Sequence, residues 1–120
     1  MPGLNYPKDR TQPDEALGLT NYEKKVRRRL NPGEKKVFDR YTKGKHYHLV
    51  AWGKGYPDFT FVDSHNNLIF REVKTDYDNL SDEQQEVLSA MKASGLDVGV
   101  EQYITKTGEI RRRDELIGKP

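Results

Sequence analysis

Cysteine is absent from the 120 residues. That excludes disulfides and thiolate-bound zinc, and fits a cytosolic (cytoplasmic) chain. Histidine is scarce: His46, His48 and His65 are too scattered to form a zinc set and read as strand and turn residues. No apolar run approaches the length of a membrane span and no signal-peptide pattern is present, so no membrane partner is expected. Apolar residues are few as well, 33% against 33% charged, which is lean for a globular chain. The length suffices for one modest core, so an unpacked arm or an oligomer interface is expected to make up the balance. Residues 1–19 mix prolines, glycines and charges without periodicity and are expected to be a flexible arm. Residues 20–120 then form a single domain with its core at about 32–105. No zinc finger, basic zipper or other base-reading motif is visible, which argues against recognition of a DNA sequence.

What is present is charge, unevenly placed. Residues 20–45 carry ten Lys/Arg against three Asp/Glu, whereas residues 58–101 carry three against ten. An acidic centre beside a basic flank suits a metal site next to a phosphate-binding surface, although two solvated helix faces of opposite sign would read the same way. Lys24, Lys25, Arg27, Arg28 and Arg29, with Lys35 and Lys36, are candidate phosphate contacts, and Arg111-Arg112-Arg113 is a second candidate grip.

Local signals divide the chain into elements. Thr20 and Glu23 form a capping box before a first helix over Lys24 to Leu30. Asn31-Pro32-Gly33-Glu34 repeats that logic, with Asn31 as cap and Pro32 at the first helical position. This second helix is expected to run to about Lys43, burying Val37, Phe38 and Tyr41, and to stop at Gly44. His46 to Trp52, Phe59 to Asp63 and Leu68 to Lys74 read as strands, with Trp52 in the core. Ser81 caps a third helix with Gln84 at its third position and an apolar stripe of Val87, Leu88 and Met91, closed by Gly95. Leu96 to Ile104 is a fourth strand, and a short fifth follows around Ile110. The order is that of a mixed α/β sheet with helices packed on it.

The chemistry concentrates in Pro57-Asp58 and Arg71-Glu72-Val73-Lys74. Two carboxylates suit a hard divalent cation, and an ammonium beside them suits an attacking water and a phosphate, so the trio points to a nuclease. Glu72 and Lys74 share one strand face. Asp58 joins them only in one parity of hairpin register. A four-residue loop pairing Asp63 with Leu68 sets Asp58 across from Val73, on the wrong face. A three-residue loop, His65-Asn66-Asn67, pairs Ser64 with Leu68 and Asp58 with Lys74, and is the one predicted; a bulge near Pro57 would have the same effect. The oxygen-rich set without cysteine suits Mg²⁺ or Mn²⁺, as one or two ions. Tyr56 and Lys54, in the loop entering the site, are placed to touch a scissile strand.

These motifs resemble the PD-(D/E)xK nuclease superfamily, the restriction-endonuclease-like fold, and within it the small stand-alone members of the VRR-NUC family. The resemblance runs from about Glu34 to Tyr103 and rests on Gly55-Tyr56-Pro57-Asp58, Phe70-Arg71-Glu72-Val73-Lys74 and Leu80-Ser81-Asp82-Glu83-Gln84. Val87-Leu88 and Gly95-Leu96-Asp97-Val98 extend it. It implies an αβββαβ core, with Asp58 and Glu72 as metal ligands and the Val73 carbonyl as a backbone ligand. Lys74 would orient the attacking water and stabilise charge on the phosphate. Gln84 would reach the site through its amide, with Gln85 as its rival. Glu34 would complete the metal site from the first core helix, in competition with Glu23. The resemblance further implies a homodimer acting on branched DNA, as Holliday-junction resolvases do. A non-catalytic nucleic-acid-binding module of the same fold and an RNA-directed nuclease are the competing readings.

Overall fold

The computed structural model describes residues 18–53 and 55–118. Residues 1–17 of the expected arm, and Lys54, lie outside the described residues. Leu19, assigned from sequence to the arm, is buried in the core, so the packed domain begins no later than that residue.

Each helix starts at a capping box. Helix α1 (Asn21–Arg27) is capped by Thr20, α2 (Pro32–Thr42) by Asn31 and α3 (Asp82–Ala93) by Ser81. In each, the cap side chain accepts from the third helical N–H while the side chain at that third position accepts from the cap's own N–H, satisfying two otherwise orphaned donors. The sequence places all three caps correctly. Helix α2 ends at Thr42, and a 3₁₀ turn over Lys43–Lys45 carries Gly44 at φ 75°. A left-handed glycine is the stop expected there.

Five strands follow in one sheet, ordered β1-β2-β3-β4-β5: β1 (Tyr47–Trp52), β2 (Phe59–Asp63), β3 (Leu68–Thr75), β4 (Asp97–Tyr103) and β5 (Ile110–Arg112). Strands β1, β2 and β3 pair antiparallel, β3 and β4 parallel through α3, and β4 and β5 antiparallel. The αβββαβ order is therefore present, with α1 preceding it and β5 closing the second edge. Both faces of the sheet are covered. Val37 and Phe38 of α2 pack with Leu49, Phe59, Phe61 and Ile69. Leu88 of α3 packs with Leu80, Val98, Val100, Leu116 and Ile117 on the other side. Phe38, Phe59 and Phe61 are wholly buried, each contributing roughly 2–3 kcal/mol of hydrophobic stabilisation. Val87, expected on the buried stripe of α3, is 36% exposed, because the narrow contact of α3 with the sheet is filled by Leu88 and Met91.

The β2–β3 hairpin corrects the predicted loop. Phe59 pairs with Arg71, Phe61 with Ile69 and Val62 with Leu68, so Asp63 closes on Asn67 and the loop is Ser64-His65-Asn66. The predicted Ser64–Leu68 closure is two positions away in register but has the same parity. Asp58, in line before β2, thus falls opposite Glu72 rather than Lys74, still on the α3 face. Asp63 decides the register: its carboxylate accepts from the N–H groups of His65 at 2.8 Å and Asn67 at 2.9 Å, which closes the turn one residue earlier. Asn66 takes φ 66°. Asn66→Gly should therefore change stability by only a few tenths of a kcal/mol, whereas Asn66→Val should cost about 1–2 kcal/mol. Urea midpoints check this, and an unaffected valine variant would mean the turn is closed elsewhere.

Candidate active site

At the C-terminal end of β3 the pleat turns Glu72 toward α3 and Val73 toward α2. Glu72 is 3% exposed and accepts two hydrogen bonds: the Asp58 N–H donates to Oε1 at 3.2 Å, and Gln84 Nε2 donates to Oε2 at 2.9 Å. Asp58 Oδ2 accepts the Val73 N–H at 2.8 Å. Asp58, Glu72 and Gln84 are thus joined in one constellation across β2, β3 and α3. Gln84 is fixed from behind by its capping box, its Oε1 accepting the Ser81 N–H at 2.9 Å. That leaves its amide N–H₂ to face Glu72.

Electrostatics set this pair apart from the other carboxylates. Burial, with the neighbouring Glu34 charge, pushes the Asp58 carboxyl up to about 6 against the lowering hydrogen bond from Val73. Burial and the Asp58 charge push Glu72 up to about 8. The Lys74 ammonium lowers both, so it lies within electrostatic reach of each carboxyl group. Two carboxylates forced together out of water favour either a shared proton or a cation.

The donor set fits a hard divalent cation. It is all oxygen, its carboxylates are oriented by three hydrogen bonds, and its excess negative charge is what a bound cation relieves. Among the described residues, no group of three or more acidic or histidine side chains could hold a metal. Remaining coordination would fall to the Val73 carbonyl, water or substrate, an arrangement Mg²⁺ tolerates well.

The other sequence candidates separate clearly. Glu34 stands at the first turn of α2, where Gly33 lies against Tyr103 at the end of β4. Its charge reaches Asp58, but its Oε1 caps the Asn31 N–H at 3.1 Å. Glu23 is buried elsewhere, accepting from the Leu49 N–H at 2.6 Å and lying 3.2 Å from His48 Nδ1, so it braces α1 on β1 and not the site. Gln85 bonds the Leu116 carbonyl and the Gly118 N–H, anchoring the C-terminal turn. Tyr56 is 40% exposed beside the site.

Several predicted phosphate contacts are engaged within the protein. Arg27 forks Asp39 through two bonds of 2.8 Å and is largely buried. Arg111 pairs with Glu109, Arg112 with Asp114 and Arg113 with Glu115, so the arginine run is largely neutralised by neighbouring acids. Lys25, Arg29 and Lys36 are exposed and Lys35 half-buried, while Lys24 and Arg28 hold partners of their own.

Sequence reading missed the polar network under β3. Arg71, 5% exposed, donates to the Tyr41 hydroxyl at 2.8 Å and to Asp97 Oδ1 at 3.0 Å. Tyr41 in turn donates to the buried Glu101, and burial with that bond pushes the phenol up to about 12. The network ties β3 to β4 and α2, steadying the strand that carries Glu72. Only the position of an arginine next to the motif glutamate hinted at it.

Among the described residues no helix is long and apolar enough to cross a membrane. No curated protein and no solved structure matches the chain significantly. The family model of the VRR-NUC domain matches residues 15–102, well over half of the sequence, and it spans every residue of the constellation just described. The chain belongs to the VRR-NUC family, within the restriction-endonuclease-like nuclease superfamily.

Proposed function

We propose that this nuclease is a metal-dependent, structure-selective DNA endonuclease whose site comprises Asp58, Glu72, Lys74 and Gln84, with Glu34 as an outer acidic neighbour. The observation that carries this reading is the hydrogen-bonded set of Asp58, Glu72 and Gln84 within the field of Lys74, at one end of the sheet. Nucleases of this fold generally use divalent metal ions. When bound, Mg²⁺ or Mn²⁺, as one ion or two, would supply Lewis acidity to the phosphate and to a water. Asp58 and Glu72 would hold it, with the Val73 carbonyl beside them, and Gln84 would keep the Glu72 carboxylate turned toward it.

Lys74 orients the attacking water and sets its ammonium against the phosphoryl oxygens, where negative charge grows as the water oxygen bonds to phosphorus. The phosphorus–oxygen bond to the leaving nucleotide breaks, the water gives up a proton to solvent, and the leaving oxygen takes one up. Net hydrolysis follows.

The absence of a base-reading motif supports recognition of DNA shape, with a branch or Holliday junction as the favoured substrate. The lean core supports a homodimer, which would present paired sites to symmetric strands. Incubation with junction, flap, duplex and single-stranded DNA, and with RNA, in Mg²⁺, Mn²⁺ or EDTA tests the reading. Metal-requiring cuts near branch points are expected. Binding without cleavage under any metal would mean a non-catalytic module, and preferential RNA cleavage would move the substrate class.

A further inference from the structure

Beside the fifth strand, α2 and β5 enclose an open cleft of about 520 Å³ lined by Lys36, Asp39, Arg40, Lys43 and Ile110. Lys36, Arg40 and Lys43 recur at i, i+4 and i+7, so three cations line one side of α2 and its C-cap. Seven residues of helix span about 10 Å, so the three cations can meet more than one phosphate of a strand.

The charge in this cleft is one-sided. Asp39 gives both carboxylate oxygens to Arg27 at 2.8 Å, so the acid in the lining is already answered. Arg40 is 56% exposed, and its NH1 stands 3.7 Å from the buried Glu101 Oε1, beyond hydrogen-bond length. That oxygen accepts no hydrogen bond, and the other Glu101 oxygen is served by Tyr41 with Arg71 3.8 Å away. Lys36 and Lys43 form no ion pair among the described residues.

The cleft begins on the helix that carries Glu34. Lys36 lies two residues after Glu34, whose charge is felt at Asp58. Its ammonium borders the β4–β5 turn, 3.7 Å from where a side-chain carbon on Gly108 would lie.

We propose that this cleft is a track for the sugar-phosphate backbone of the DNA, whose phosphates meet Lys36, Arg40 and Lys43. The assignment rests on the nuclease reading and extends it to where the strand runs. Arg40 and Lys43 were not among the phosphate contacts expected from sequence. The occupant is a polyanionic strand, because three of the five lining side chains are cations and the one acid among them is already paired with Arg27.

Fluorescence anisotropy with a labelled DNA junction in EDTA, across a salt series, tests this. Lys36→Ala/Lys43→Ala should lower the slope of log affinity against log salt by about 2 and weaken low-salt binding roughly ten- to a hundredfold. Arg40→Lys should bind as wild type, and Lys92→Ala, near the far end of α3, should change nothing. Both lysines are exposed, so the double variant should melt with the wild type. An unchanged slope in the double variant overturns the track. Wild-type cleavage with Mg²⁺ or Mn²⁺ is scored separately. A wild type that cleaves beside an unchanged slope sinks the track alone, and one that never cleaves beside a lowered slope sinks the nuclease reading alone. A wild type that binds no DNA overturns both.

Discussion

Lys74→Ala is expected to lower kcat for DNA cleavage by about 10²–10³-fold, the loss typical of removing one preorganised charge from a transition state. Asp58→Asn and Glu72→Gln should fall at least as far, because each removes half of the anionic charge available to a divalent cation. Gln84→Ala should cost about 10–100-fold, as it leaves both carboxylates in place but frees the orientation of Glu72 and removes one capping-box bond of α3. The internal control is its neighbour. Gln85 bonds the C-terminal turn, so Gln85→Ala should reduce stability and leave kcat unchanged. Single-turnover kinetics with saturating DNA separate chemistry from binding, and circular dichroism checks the fold of each variant. Wild-type rates in both Lys74→Ala and Asp58→Asn would remove this constellation from the chemistry altogether.

The three capping boxes show how much of this site could be read from sequence, and where reading stopped. Each cap is a local bargain among four residues, so Thr20, Asn31 and Ser81 were legible as helix starts. The third-position residues Glu23, Glu34 and Gln84 look alike at that level, yet their tertiary fates diverge. Glu23 is buried against β1, Glu34 remains at the mouth of the site, and Gln84 bonds Glu72. Which way a helix start faces is set by sheet packing, and no window of four residues holds that information. The hairpin is similar: side-chain alternation fixed the parity that puts Asp58 with Glu72, while the turn made by Asp63 chose between registers of equal parity. The network of Tyr41, Arg71 and Glu101 joins residues 30 and 60 positions apart, beyond any local pattern. The arginine run at 111–113 is the opposite case, because its ion pairs are local. Its acids stand two residues away in sequence, and their neutralising effect was already visible there.

The metal-free protein should lose stability as pH rises from about 5 to 8, with a fall in Tm on the order of 10 °C, and a divalent cation should reverse that loss. The sign follows from where the protons sit. Glu72 is raised from 4.5 to about 8 and Asp58 from 3.8 to about 6, so across this window the folded state binds more protons than the unfolded chain. Stability contributed by the protonated pair is complete below about pH 4 and is lost as pH climbs through the folded values. Even one net unit on each group gives about 2–3 kcal/mol, worth roughly 4–8 °C per kcal/mol in a domain of this size. A divalent cation binds the ionised carboxylates and competes with protons, so its gain in Tm should be greater at pH 8 than at pH 5.5. Asp58→Asn discriminates repulsion from general alkaline weakening. Its amide can keep an oxygen on the Val73 N–H and turn its N–H₂ toward Glu72, so the variant should melt higher than wild type at pH 8 in EDTA. It should also respond little to Mg²⁺. A wild-type Tm that stays level from pH 5 to 8 in EDTA would mean that neither burial nor neighbouring charge raises the Asp58 and Glu72 carboxyl groups in the folded protein. The poised metal site would then lose its electrostatic basis.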